Sequence, residues 1–112
     1  MTVRDRVKSV QREIRDGGEL LPMRATQLLM ELTALMGNCS EEIRGAEAAY
    51  ATVLLAELDR NEKANRARIR AETSEEYARK REARDTKELV VELIHSLKYY
   101  LRTQAEEMRL AR

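Results

Sequence analysis

An all-α chain is what this sequence predicts, and three observations carry that reading. Its hydrophobic residues, 43% of the chain, are led by 14 Leu and 14 Ala, while Phe and Trp are absent and Tyr occurs four times. Leu and Ala, with abundant Glu and Arg, are strong helix formers, and the β-branched and aromatic residues that favour strands are scarce. Apolar positions recur at steps of three and four, the period of one helix face, most plainly in the last third. There Val90, Ile94, Leu97, Leu101 and Met108 form a stripe that Leu93 and Tyr100 widen. At 112 residues the expectation is one domain of two short N-terminal helices followed by a long antiparallel helical hairpin.

The first element is an amphipathic arm within residues 1–16. Val3, Val7, Val10 and Ile14 share a face, Thr2 can cap the free amides with Asp5 as its reciprocal partner, and Gly17-Gly18 ends the helix. Pro22 suits the first turn of a core helix over 22–36, whose broad face holds Ala25, Leu28, Leu29, Leu32, Leu35 and Met36, with Gly37 closing it. Asn38 with Glu41 three residues on reads as the cap of a third helix, 41–72. Ile43, Ala46, Tyr50, Val53, Leu54 and Leu58 supply its stripe.

Beyond Asp59 the character changes: 18 of the 30 residues from Asp59 to Glu88 are charged. Asp59–Lys63, Glu62–Arg66, Glu75–Arg79 and Glu76–Lys80 have the four-residue spacing that supports a helix. Thr73-Ser-Glu-Glu76 fits a capping box, which places the hairpin turn there and starts a fourth helix, 74–110; the alternative is one uninterrupted helix of about 70 residues, which no Gly or Pro forbids. The base of this hairpin is expected to be packed by Leu54, Leu58, Leu93 and Leu97.

Composition narrows the function classes. Long helices without large aromatic side chains leave a thin core, so a homo-oligomer is expected, with Val90, Ile94, Leu97, Leu101 and Met108 as its interface or that of another partner. With 21 basic and 20 acidic residues the net charge is +1, and total charge makes no case for nucleic acid. One Cys excludes an intrachain disulfide and a Cys-based zinc site. No apolar run approaches a membrane span, so a cytoplasmic protein without membrane contact is expected.

One region carries a functional lead. Lys63, Arg66, Arg68 and Arg70 contain no acid among them, and Arg79, Lys80, Arg81 and Arg84 surround a single Glu82. A turn near Thr73 would set these segments side by side on opposite arms. Closely repeated cations suit a phosphate backbone, and Tyr77 is the one aromatic nearby that could stack on a base. The bland reading is a solvated face held by pairs four apart.

No catalytic residue, cofactor or metal set emerges. Glu72, Glu75, Glu82 and Asp85 have the paired-carboxylate spacing of helical magnesium pyrophosphohydrolases, but six residues between Glu75 and Glu82 cannot form two facing helices. Glu92 and His95 match half of a di-iron site, and His95 is the sole histidine. Cys39 has no base beside it in the sequence, and Tyr99-Tyr100 reads as packing.

From Leu54 to Leu101 the chain resembles small helical proteins of tailed-phage recombination modules, including recombination mediators that load a recombinase onto single-stranded DNA. The similarity lies in a Leu-rich helix leading into Lys63-Ala with scattered Arg, Tyr77, an acidic–basic stretch, and Leu93-Ile-His-Ser-Leu-Lys98 in the closing helix. The resemblance implies a ring-forming helical oligomer in the cytoplasm of a bacterial host. It would bind single-stranded DNA through Lys63, Arg66 and Arg70, with Arg79 and Arg81 beside them, and a recombinase or other phage protein as partner. The expected function is thus a non-enzymatic accessory role in DNA recombination or replication. The alternative is a helical assembly, scaffold or inhibitor protein that acts only through protein–protein contacts.

Overall fold

The structure, a computed structural model, describes residues 2–60 and 63–111. They form four helices: α1 (Val3–Asp16), α2 (Pro22–Arg60), α3 (Ala64–Glu72) and α4 (Glu75–Leu110). Together they make a rod of 72 × 25 × 22 Å. Among the described residues no helix is long and apolar enough to cross a membrane.

The start of the chain follows its local chemistry. Thr2 accepts from the Asp5 amide at 3.1 Å and Asp5 answers to the Thr2 amide at 3.2 Å, a reciprocal cap. At the other end the Gly17 amide bonds Glu13 O, and Gly18 takes a φ of 81°, which glycine adopts without steric cost. The apolar face of α1 docks on the body of its own chain, where Val7 and Val10 are fully buried. Three ion pairs fix it there. Arg6 clasps Glu31 of α2 with one bond of 2.6 Å, Arg24 of α2 holds Glu13 at 2.7 Å, and Arg4 meets Glu82 of α4 at 2.9 Å. Since Arg6 meets Glu31 and Glu13 meets Arg24, α1 runs antiparallel to α2.

The expected second and third helices are one. Helix α2 passes through Gly37 and Asn38 without interruption, so the boundaries 22–36 and 41–72 are corrected to Pro22–Arg60 and Ala64–Glu72. Gly37 keeps a negative φ, and glycine inside a helix costs only about 1 kcal/mol relative to alanine. Burial outweighs that cost, because Ala25, Leu28, Leu32, Cys39 and Ala46 continue a single inward face across the glycine.

The direction of the chain reverses earlier than expected. A break does occur at Thr73, where the Ser74 hydroxyl caps α4 by accepting from the Tyr77 amide at 3.2 Å. Yet α3 packs back on α2, through the buried Ala67 and Ala71, and barely touches α4. The hairpin turn therefore lies between α2 and α3, and α3 and α4 follow one another down the returning arm. This shift changes the pairing register: Glu47 meets Arg84 and Tyr50 meets Tyr77.

The base is accordingly closed by Leu28 and Leu32 against Val90, Leu93 and Leu97, with Val7 and Val10 between. Leu54 is half-buried and Leu58 is exposed, so neither packs the base as expected. The Tyr100 hydroxyl ties α4 to Leu20 O just before α2. Of the expected interface stripe, Val90 and Leu97 are spent in this internal core. Ile94 and Leu101 are half-buried against it, and of the stripe Met108 alone is exposed, near the end of α4.

Candidate nucleic-acid interface

The far end of the rod is built differently. Its inward positions are small: Ala46, Ala67, Ala71 and Ala83 are buried where the base carries Val and Leu. Small residues let α2 and α3 approach closely and leave the long side chains around them to face water. With Ala67 and Ala71 turned to α2, helical geometry puts Arg66 and Arg70 along one flank of α3 and Arg68 on the other, and Lys63 stands just before its first turn. All four are exposed.

Helix α4 adds the second group. Arg84 pairs with Glu47, and Lys80 is half-buried with its Nζ 4.6 Å from the centre of the Tyr50 ring. Arg81 lies 6.0 Å over the Tyr77 ring, at the outer limit of a cation–π contact. A side-chain nitrogen of Arg79 lies 3.4 Å from where a Cβ on Gly45 would sit, so its guanidinium rests across that glycine. The two basic segments do not lie opposite each other on two arms. They succeed one another over roughly 30 Å of the same arm, at 1.5 Å per residue.

Among the described residues, three of the four expected four-residue ion pairs do not close. Lys63 lies before α3 rather than in a helix with Asp59, and Arg79 and Lys80 turn toward α2 rather than to Glu75 and Glu76. Glu62, assigned to Arg66, lies outside the described residues. Among the described residues, Lys63, Arg66, Arg70, Arg79 and Arg81 have no carboxylate within 4 Å, while Arg68 reaches only the Asn65 side chain at 3.5 Å. From Lys63 to Arg84 eight bases face four acids, Glu72, Glu75, Glu76 and Glu82, a local charge of +4.

One feature of this end was not read from the sequence. Tyr50 and Tyr77 pair at 5.3 Å between ring centres, tilted by 47°, directly at the joint between α3 and α4. Burial, with Glu72 and Tyr77 adding to it, holds the Tyr50 hydroxyl above its ordinary pKa. The sequence places these tyrosines 27 positions apart on separate stripes. Only the correct turn position brings them together.

The remaining chemistry is sparse. Among the described residues no three His, Cys, Asp or Glu side chains gather in a way that could hold a metal. Cys39 is buried in the core, and that burial raises its thiol pKa, which disfavours the thiolate. No protein-family model, curated protein or solved structure matches the chain.

Proposed function

We propose that this chain is a non-enzymatic accessory protein of phage-type DNA recombination or replication, acting in the cytoplasm of a bacterial host. It binds single-stranded DNA through the basic end of its helical hairpin. The observation that supports this reading is the row of exposed cations along α3 and the start of α4, five of them without an acid partner among the described residues. The resemblance of residues 54–101 to recombination-module proteins supplies the setting. Arg and Lys displace counterions from phosphate, a process indifferent to base sequence, and the Tyr50–Tyr77 pair adds an aromatic surface beside them. A patch of +4 binds weakly alone, so the working form is an oligomer in which several patches act together.

Fluorescence anisotropy with a labelled single-stranded oligonucleotide tests this. Engaging about five phosphates gives a log–log salt slope of roughly 3 to 4, hence about a hundredfold weaker binding at 200 mM salt than at 50 mM. An Arg66→Glu/Arg70→Glu/Arg81→Glu variant is expected to lose binding while keeping its helical circular dichroism. A folded wild type that binds nothing at 50 mM salt overturns the reading, and favours a helical protein that works through protein contacts alone.

A further inference from the structure

The outward face of α2 poses a separate question. Between Pro22 and Ser40 its only charged residues are Arg24 and Glu31, and both turn to α1, where they hold Glu13 and Arg6. In a chain that is 37% charged, the exposed side of this half-helix carries no charge. Thr26 and Thr33 satisfy their hydroxyls on Pro22 O and Leu29 O, so they present methyl groups rather than free donors. Met30 stands 69% exposed on this face, and Leu55, further along α2, stands 63% exposed. Gly37 lies between them. A Cβ there would meet nothing within 4 Å, so nothing inside the chain calls for a glycine that weakens the helix.

We propose that this face is covered by a second copy of the same chain, with the two α2 helices antiparallel about a two-fold axis level with residues 42 and 43. Register favours this pairing. Exposed positions from Met30 to Leu55 repeat at alternating steps of four and three, the pattern of a helix-pairing seam. Antiparallel pairing sets Glu41 opposite the partner's Arg44 and Arg44 opposite the partner's Glu41, on both sides of the axis. The next layers outward are Gly37 with the partner's Ala48 and Ala34 with the partner's Ala51, small against small, which lets the helices approach closely and uses the missing side chain. Met30 then meets the partner's Leu55 at each end.

Other arrangements fit worse. Parallel helices would stack Glu41 on Glu41 and Arg44 on Arg44. A slip of one heptad moves Glu41 opposite the partner's Gly37 or Ala51 and removes both ion pairs. Among the described residues neither Glu41 nor Arg44 has an ion pair within its own chain, so both are available.

Size supports a genuine though modest interface. From Gln27 to Leu58 the strip is roughly 46 Å long and one helix, 10–12 Å, wide, so two faces remove about 1,000 Å² from water, the threshold for a specific contact. An interface of that size sits at the low end of specific contacts, which sets the concentrations at which it is tested. It uses a face distinct from the flank that bears Arg66 and Arg70, so the two are read separately: a chain that stays monomeric removes the avidity expected of an oligomer but not the contact of these cations with phosphate, and loss of DNA binding leaves the dimer standing.

Sedimentation equilibrium across about 1–200 μM, with wild type and charge variants, tests the proposal. Wild type is expected to move from the 13.0 kDa chain mass toward twice that value. Glu41→Arg and Arg44→Glu each place like charges opposite each other twice across the axis and should weaken the dimer at least about tenfold. The double swap, Glu41→Arg with Arg44→Glu, should restore it to within about threefold of wild type, since opposite charges again face each other. Both residues are exposed, so circular dichroism should be unchanged throughout. A wild type that stays at 13.0 kDa to the highest concentration overturns the proposal. So does a dimer indifferent to either reversal, or single reversals that the double swap does not rescue.

Discussion

The two ends of the rod bury different things. At the base, Val7, Val10, Leu28, Leu32, Val90 and Leu97 interlock between three helices, and ion pairs from α1 stitch their rim. At the tip, Ala46, Ala67, Ala71 and Ala83 are the buried apolar residues, and long cationic side chains surround them. A buried Leu or Val side chain contributes about 1.5–3 kcal/mol against water, and a single methyl far less. Stability therefore sits at the base, while the tip holds its shape through close backbone approach. That division suits a molecule whose charged end must face a ligand and whose other end must keep the helices together.

The largest test of this division is Leu97→Ala. Leu97 is 1% exposed, and its loss should cost about 2–5 kcal/mol and lower the urea midpoint of the whole molecule. A loss below about 1 kcal/mol would mean that the base is not where stability resides.

A smaller and more local effect is expected from Ala71→Leu. Extra methylenes between α3 and α2 overpack the tip by about 1–3 kcal/mol. Hydrogen exchange should quicken in α3 and the first turns of α4 while amides around Leu32 and Leu93 stay protected. Uniform acceleration along the chain would show instead that the ends unfold as one unit.

The smallest effect concerns acid. The guanidinium groups of Arg6 and Arg24 bond to Glu31 and Glu13 and hold both carboxyls below the ordinary carboxylate range. The folded state thus binds these protons less readily than the unfolded one. Each pair stabilises above the ordinary range and loses that contribution as pH falls through it and below. Glu31 and Arg6 are each about a third exposed, at 33% and 31%, so screening limits their pair to about 1 kcal/mol or less. Urea midpoints at neutral and acid pH should differ less in Glu31→Gln than in wild type. Equal differences would remove this pair from the acid response.

What could be read in the sequence depended on how local its cause was. The cap at Thr2 and the glycine stop after Asp16 each rest on a few neighbouring residues and are legible there, whereas the box expected at Thr73 gives way to a cap one residue later: Thr73 closes α3 and the Ser74 hydroxyl caps α4. Gly37 and Asn38 are equally local signals for a stop, and there they mislead, because the inward face from Ala25 to Ala46 is continuous and wins. The turn was misplaced since the Thr73 break looks the same whether the chain reverses or only bends. Only the burial of Ala67 and Ala71 on α2 separates the two. The basic residues themselves were legible as a set, but their arrangement in series, and the Tyr50–Tyr77 contact, depend on that turn. The α4 stripe was read as an outer interface because its true cover, α1 and the first half of α2, lies about 80 residues away in sequence, as Arg4–Thr86 and Leu20–Tyr100 show.

That last separation governs how the chain comes into being. Residues that finish the base, from Val90 to Tyr100, are synthesised after nearly everything they cover. Until they emerge, the apolar faces of α1 and the first half of α2 have only each other. At about 5–20 residues per second the wait lasts several seconds, during which Leu28, Leu32 and Val10 are open to other chains and to chaperones. Closing loops of this length is also slow for a helical protein, whose contacts are usually local. A ribosome that stalls before α4 is complete releases a sticky fragment, not a smaller version of the fold.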